Sequence, residues 1–394
     1  MKYILRDRNL SILFVSTFLF FTNEALFLPT LPLHLSAAGY SNTRIGIVLG
    51  AFALGVLFTR PLSGFITDEK GRKISLVTGV MVFFAAPLLY LVSTDFLYLI
   101  ILRFFHGLGI SFYTTSFPAY ITDVSDEHRR GEIFGHMATS TTLAFTLGPL
   151  VGITIFNSYG FKPLIFLCTA TGLFNLIVIL FLSEIHKKAE RESKVPYKTV
   201  VFNRGVLVSS FIQLVYAIIF GGIITFLPLL LKNIEGVNVG VFFMVESIVI
   251  IICRFMAAQM SDKYGRGPVF SYSFFIILCA VYLISEINAM HILIATAALS
   301  GIGSSLCLPA ISAFIADNSD PSARGTVFSF FNGAFDVGVI VAGVLLGFIA
   351  DLTSIREMFM ITAIGGFICL ILFSLFIKEG FRRSLQWALL FKKE

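Results

Sequence analysis

Twelve apolar runs dominate this sequence, and each is close to the length at which a helix crosses a lipid bilayer. The hydrocarbon core takes about 20 apolar residues in a helix, which satisfies its own backbone hydrogen bonds. Only 13% of the residues are charged, against roughly 25% in soluble domains. The pattern predicts an all-α membrane protein with transmembrane helices near 10–35, 45–67, 74–93, 97–122, 132–156, 162–183, 203–231, 239–261, 268–284, 289–316, 325–350 and 356–377.

The positions of the basic residues predict the orientation of these helices. If both termini are cytoplasmic, most Lys and Arg residues fall in inner loops, and the outer loops hold only Arg44, Lys162, Lys232 and Arg356. Cytoplasmic loops of membrane proteins carry such an excess. We therefore expect a multi-pass protein of a bacterial or archaeal plasma membrane with both termini inside. The net charge of +6 follows from this distribution and indicates no nucleic-acid partner.

The longest polar stretch lies near the middle of the chain and predicts a division into two halves. We expect a six-helix bundle at 1–183, a cytoplasmic linker at 184–202 and a second six-helix bundle at 203–377. The remaining segment, 378–394, mixes apolar with basic residues. It suits either a helix lying on the inner membrane surface or a disordered tail.

The two halves resemble each other at a constant offset of 194 positions. Self-similarity at one fixed offset indicates a duplicated unit. Because each half has an even number of helices, the two copies share one orientation in the membrane. The matched positions include Arg60 with Arg254, Asp68 with Asp262, Gly71 with Gly265, Arg72 with Arg266, Gly107 with Gly301, Asp123 with Asp317 and Arg130 with Arg324.

Residues 64–73 carry a motif where the second run reaches the cytoplasmic side. They read G-F-I-T-D-E-K-G-R-K, and a second copy at 258–267 reads A-Q-M-S-D-K-Y-G-R-G. The motif resembles the G-x-x-x-D-x-x-G-R-K signature of the major facilitator superfamily, with Glu69 in place of the usual basic residue. The resemblance implies a cytoplasmic gate and charge relay made by Asp68, Arg72, Asp123, Arg130, Asp262 and Arg266.

The same resemblance implies a fold and a mode of action. The major facilitator fold has two pseudo-symmetric six-helix bundles, and its halves rock about a site near the midplane to give alternating access. We expect a secondary transporter that works as a monomer, with a small-molecule substrate, protons and the lipid bilayer as its partners.

Residues 103–109 form a second motif, inside the fourth run. They read R-F-F-H-G-L-G and resemble the R-x-x-x-G-x-G signature of proton-coupled members. An Arg inside a span is energetically unfavourable, so it indicates a functional charge or a partner. By resemblance Arg103 tunes proton transfer. A side chain that extends towards the outer membrane surface is the alternative.

The fifth run carries a stripe of small residues. Residues 148–152 read G-P-L-V-G and partly match the signature of the drug:proton antiporter branch, which favours export. Small residues also allow close helix packing without any such role. We predict helix-packing and gating roles for Gly64, Gly107, Gly148, Pro149 and Gly152.

Three acidic residues lie inside the runs, and we predict that they are proton-coupling candidates. Glu24 stands first, followed by Asp336 and Glu246, together with Arg103. A carboxyl group in an apolar medium can carry a proton near neutral pH. Arg60 and Arg254 are buried charges in the inner third of the membrane. The alternative is that these charges only hold helices together.

Other function classes leave little trace in the sequence. There is no phosphate-binding Gly-x-x-x-x-Gly-Lys-Ser/Thr motif, no metal-ligand spacing and no sign of a cofactor or an enzyme site. Proton-coupled efflux of an amphipathic molecule or drug is the leading hypothesis. A symporter or uniporter for a sugar, organic acid or other metabolite is the first alternative, and a receptor or enzyme without transport is the second.

Overall fold

A computed structural model describes residues 7–126, 129–184, 202–317, 319, 324–376, 385–386 and 388–390. The side chains of 255–258, 262, 324 and 325 are outside this description. The predicted linker at 184–202, apart from its two end residues, most of the tail at 378–394 and the Asp262 side chain therefore lie outside the described residues. The packing divides the chain into two units, Met1–Glu190 and Arg191–Glu394. Throughout the described residues the secondary structure is helical, with no strand.

The first unit contains seven helices within its described residues. Side chains of Asp7, Ser41 and Asp95 begin α1, α3 and α5 by accepting hydrogen bonds from backbone amides in the first turn. Leu28 and Pro29 separate α1 from α2. The helices are α1 (Arg8–Phe27), α2 (Thr30–Ala37), α3 (Asn42–Glu69), α4 (Arg72–Leu89), α5 (Phe96–Val124), α6 (Arg130–Tyr159) and α7 (Phe161–Leu180).

Close helix approaches in the first unit occur at glycines. A Cβ at Gly107 of α5 would collide with the backbone carbonyl of Phe52 in α3. Gly148 of α6 lies against Ala25 of α1, and one turn later Gly152 lies against the next α1 residue, Leu26. These contacts hold α3 to α5 and α1 to α6.

Gly64 is a correction to the sequence prediction. We expected a close helix approach there, but no atom of the described residues lies within 4 Å of a Cβ placed on Gly64. Its helix, α3, makes its tight contact at Gly55, where an added Cβ would meet the backbone of Phe104. Gly64 lies about two and a half turns further along the helix.

The second unit repeats this helical pattern. Its helices are α8 (Arg204–Leu231), α9 (Val239–Tyr264), α10 (Arg266–Ile284), α11 (Met290–Asp317), α12 (Arg324–Val341), α13 (Gly347–Leu352) and α14 (Ile355–Phe376). A five-residue π-helical segment, Ala342–Leu346, joins α12 to α13. Within this unit α11 packs against α9 and α10, and α8 packs against α12.

Eleven helical segments of the described chain are long and apolar enough to cross a membrane. One of them, Arg8–Ala37, consists of α1 and α2 together. The helix α9 is not among the eleven, yet its 26 residues exceed the length of about 20 that a span needs. With α9 included, the number agrees with the predicted twelve.

Candidate functional site

The first candidate site surrounds Glu24 in the middle of α1. The two glycine contacts from α6 fall on Ala25 and Leu26, the residues that follow Glu24 directly. Pro149 is buried beside Gly148. The segment predicted from its small residues therefore packs against the part of α1 that carries the acidic side chain.

Arg103 of α5 is the charged neighbour of Glu24. Its side chain is buried, at 3% exposure, and its charge acts on the Glu24 carboxyl group. The guanidinium carbon lies 4.3 Å from the ring centroid of Phe52 and 5.8 Å from that of Phe27. Such cation–π contacts stabilise a cation most when water is excluded. The predicted alternative, in which Arg103 extends to the membrane surface, does not fit a side chain enclosed in this way.

His106 lies one turn after Arg103 and is also buried. Its Nδ1 is 3.3 Å from the hydroxyl of Tyr90, which in turn interacts with Arg103. The rings of Phe27, Phe52 and Phe83 surround the imidazole. Arg103 Nε and His106 Nε2 have no hydrogen-bond partner among the described residues. The site therefore holds two buried polar groups with unused hydrogen-bonding capacity.

Asn23 is a buried polar residue of this site that the sequence prediction missed. Its amide nitrogen donates to the backbone oxygens of Phe83 in α4 and Cys168 in α7, at 3.2 and 2.7 Å. It therefore joins α1 to two other helices. An amide directly before Glu24 in an apolar run was a signal for it, because polar side chains inside spans usually bind across helices.

In the second unit Glu246 of α9 lies in a polar cluster. The Ser300 hydroxyl of α11 donates to Glu246 Oε1. The Tyr216 side chain of α8 lies near Ser304, which is one turn after Ser300, and near Glu246. Sequence reasoning identified Glu246 but not its serine and tyrosine partners, which come from two other helices.

Of the other charges that the sequence predicted to be buried, Asp336 is buried and Arg60 is half-buried, whereas Arg254 is exposed, which corrects that prediction. Asp336 of α12 is 6% exposed and lies half a turn before Gly338, which packs against Leu214 of α8. Arg60 and Arg254 both interact with other groups in the structure.

Several residues that the sequence assigned to a charge relay contact one another in the first unit. Arg72 Nε lies 2.9 Å from Asp123 Oδ2, and its Nη1 lies 3.2 Å from Asp68 Oδ1. Nη1 also donates to the backbone oxygen of Thr67 at 2.7 Å. Arg130 donates to the Thr122 oxygen, one residue before Asp123, at 3.3 Å.

The second unit forms the equivalent contact at the positions offset by 194. Arg266 Nε lies 3.2 Å from Asp317 Oδ2, and Nη1 donates to Ser261 at 3.1 Å. The glycines before these arginines, Gly71 and Gly265, both have positive φ angles, of 108° and 94°. The internal repeat of the sequence is thus also a repeat of backbone conformation and charge pairing.

Metal ligation has no basis in the part of the chain that the structure describes. Its described residues contain no group of three or more His, Cys, Asp or Glu side chains arranged to hold a metal ion. All five cysteines are free thiols.

Comparison with known protein families decides the family. The family model for the Major Facilitator Superfamily matches residues 13–288 and, in a second match, 211–386. The chain belongs to the major facilitator superfamily. Membership makes it a membrane transporter of small molecules rather than an enzyme.

Several members of the major facilitator superfamily resemble this chain along almost its whole length. The Staphylopine export protein of Staphylococcus aureus is 25% identical over 382 residues, covering 93% of this chain and 95% of the relative. An uncharacterised MFS-type transporter of Methanocaldococcus jannaschii is 24% identical over 91% of this chain and 95% of its own length. Multidrug resistance protein MdtG of Enterobacter lignolyticus is 24% identical over 90% of this chain and 89% of its own length.

Solved structures of superfamily transporters share the fold. The nucleoside transporter NupG, as a D323A mutant, superimposes with a TM-score of 0.80 at 14% identity, covering 94% of this chain and 100% of that one. An inward-facing, occupied bacterial homologue of the lysosomal transporter Spinster gives 0.78 at 13% identity, covering 95% and 97%. At these identities the likeness establishes the two six-helix bundles and leaves the substrate open.

Proposed function

We propose that this transporter exports a small amphipathic molecule in exchange for protons, with Glu24 as the proton-coupling group. One observation carries the proposal. Glu24 lies inside a membrane-spanning helix one turn before Phe27, and the guanidinium of the buried Arg103 lies over the Phe27 ring with its Nε atom lacking a hydrogen-bond partner among the described residues. Ionisable residues in such positions mark proton or substrate pathways.

The coupling follows from the balance of charge at the site. When Glu24 is ionised, its negative charge and the positive charge of Arg103 cancel. When Glu24 takes up a proton, Arg103 remains as a buried cation beside Tyr90 and the faces of Phe27 and Phe52. Protonation therefore changes the net charge of the site by one unit in a medium of low dielectric constant.

This change of charge supplies the differential affinity that coupling needs. A ligand shifts a conformational equilibrium only as far as it binds one state better than the other. A proton on Glu24 and a substrate that prefers the ionised site would each weaken the binding of the other by the same factor. Because Gly148 and Gly152 contact the two residues that follow Glu24, movement of α6 along α1 would shift the carboxyl group.

Export is supported by two independent likenesses. Residues 148–152 resemble the antiporter signature, and relatives of this chain are named for export of staphylopine and for multidrug and quinolone resistance. We place the protein in the plasma membrane as a monomer with cytoplasmic termini. The contacts of Arg72 with Asp68 and Asp123 then form part of its cytoplasmic gate.

Transport across liposomes tests the proposal. The purified protein is reconstituted with an imposed pH gradient, and flux of amphipathic compounds, metabolites and sugars is measured for wild type and Glu24→Gln. The matched control is Glu286→Gln, which changes the same atoms at an exposed site beyond the end of α10. We expect amphipathic flux against the proton gradient in wild type and in the control. Glu24→Gln should show flux that no longer responds to the gradient.

Three outcomes would overturn the proposal. Substrate flux in the same direction as protons would make the protein a symporter. Flux indifferent to the gradient in wild type would make it a uniporter. Unchanged proton-driven flux in Glu24→Gln would remove Glu24 from the coupling step.

A further inference from the structure

The two units place different chemistry at equivalent positions of the internal repeat. With the offset of 194, Glu246 corresponds to Phe52, Ser300 to His106 and Ala297 to Arg103. In the first unit the guanidinium of Arg103 lies over the ring of Phe52. In the second unit a carboxylate replaces the ring and a methyl group replaces the guanidinium. The second unit therefore has a negatively charged group where the first has an aromatic ring, and it has no cation at the position equivalent to Arg103.

Glu246 has no basic partner within the described part of the chain. The interaction that acts on its carboxyl group is the hydrogen bond from Ser300. Glu24 differs, because the charge of Arg103 acts on it. Hydroxyl groups can solvate a carboxylate, but they do not cancel its charge. When Glu246 is ionised, its charge needs a counter-ion from outside the chain.

Two buried oxygen atoms without a hydrogen-bond partner belong to residues one turn away from Ser300 and Tyr216. Thr296 lies one turn before Ser300 on the same face of α11, and its Oγ1 is buried with no partner among the described residues. Gln213 lies one turn before Tyr216 on α8 and is 6% exposed. Its Oε1 atom is also buried with no hydrogen-bond partner among the described residues. Buried polar atoms are normally hydrogen-bonded, so each of these oxygens needs an explanation.

We propose that Glu246, with Ser300, Thr296 and Gln213, binds the protonated amine of a ligand. An ammonium group carries the missing charge and has three N–H donors, which match a carboxylate and neighbouring neutral oxygens. The ligand's ammonium group supplies the positive charge that Arg103 supplies in the first unit. The inference rests on the proposed function only in taking this ligand to be the transported molecule.

Equilibrium binding to the full-length protein in lipid nanodiscs tests this site without any transport step. The probe is 4-phenylbutylamine, and its uncharged analogue is 4-phenylbutan-1-ol. The variants are Glu246→Gln, which keeps the shape but removes the charge, and Ser300→Ala, which keeps the charge but removes a donor. The matched control is Ser305→Ala on the same helix, because Ser305 is buried and donates to the Ile302 oxygen instead.

We expect the amine to bind at least about tenfold more tightly than the alcohol, equivalent to about 1.4 kcal/mol. Glu246→Gln should abolish that preference, Ser300→Ala should weaken amine binding several-fold, and Ser305→Ala should bind as wild type does. Glu24→Gln should keep the amine preference even where proton-driven flux is lost, which separates this proposal from the previous one.

Other results would overturn the inference. Equal affinity for amine and alcohol, or an amine preference that survives Glu246→Gln, would show that the carboxylate does not recognise the cation. Competition of the amine by sodium chloride but not by choline chloride would assign the site to a metal ion instead.

Discussion

The charge pair that recurs in the two units, Arg72 with Asp123 and Arg266 with Asp317, allows one stability prediction to be made with an internal control. In the first unit the Arg72 and Asp123 side chains are only 5% and 10% exposed. At the repeat-related positions the Arg266 and Asp317 side chains are 28% and 57% exposed. The same substitution, Asp to Asn, should therefore have very different effects at positions 123 and 317.

The magnitudes follow from burial. Removing one partner of a buried ion pair destabilises by about 3–5 kcal/mol, because the remaining charge is left without compensation. Asp123→Asn should destabilise by about 3 kcal/mol, near the lower end of this range, because Arg72 keeps its contacts with Asp68 and the Thr67 oxygen. An exposed pair contributes about 0–1 kcal/mol, so Asp317→Asn should destabilise by no more than about 1 kcal/mol.

Buried cysteines provide a readout for each unit. Cys168 in the first unit and Cys307 in the second are at most 1% exposed. A thiol-reactive dye labels each only after its surroundings open, so variants in which Cys168 or Cys307 is the only cysteine left report on one unit each. At roughly 2–4 °C per kcal/mol for a domain of this size, Asp123→Asn should lower the midpoint by roughly 6–12 °C. Asp317→Asn should lower it by less than about 4 °C.

The reasoning fails if the two substitutions lower the midpoint equally, or if Asp317→Asn has the larger effect. Either result would mean that burial of the pair does not determine its contribution.

Four further substitutions test the packing of the first unit by the same thermal assay. Gly107→Ala should destabilise the unit by about 1–3 kcal/mol, because the new Cβ meets the Phe52 carbonyl. Gly64→Ala should leave the midpoint nearly unchanged, because the space around Gly64 is open. Gly71→Ala should cost about 1–3 kcal/mol, because φ of 108° with ψ of 157° is a conformation almost confined to glycine; an unchanged midpoint would refute this. Asn23→Ala should destabilise by about 1–2 kcal/mol through its two lost interhelical hydrogen bonds, and no effect would show that lipid or water replaces them.

The sequence by itself determined the class of protein, the number of helices and the duplication. These properties depend on the length of apolar runs and on which residues recur at one offset, and both are visible in one dimension. The family followed from the same motifs. The contacts of Arg72 with Asp68 and Asp123 could also be anticipated, because these residues belong to a motif that is recognisable in the sequence.

The tertiary structure alone decided which buried groups touch. A membrane helix is apolar on almost every side, so its sequence gives little sign of which face meets a neighbour. For this reason Gly64 and Gly107 look alike in the sequence although only Gly107 has a close neighbour. For the same reason the sequence did not predict the position of Arg103 over Phe52 or the contact between Glu246 and Ser300. Contacts between distant helices depend on how the spans pack, which is set by the shape of whole faces rather than by local spacing.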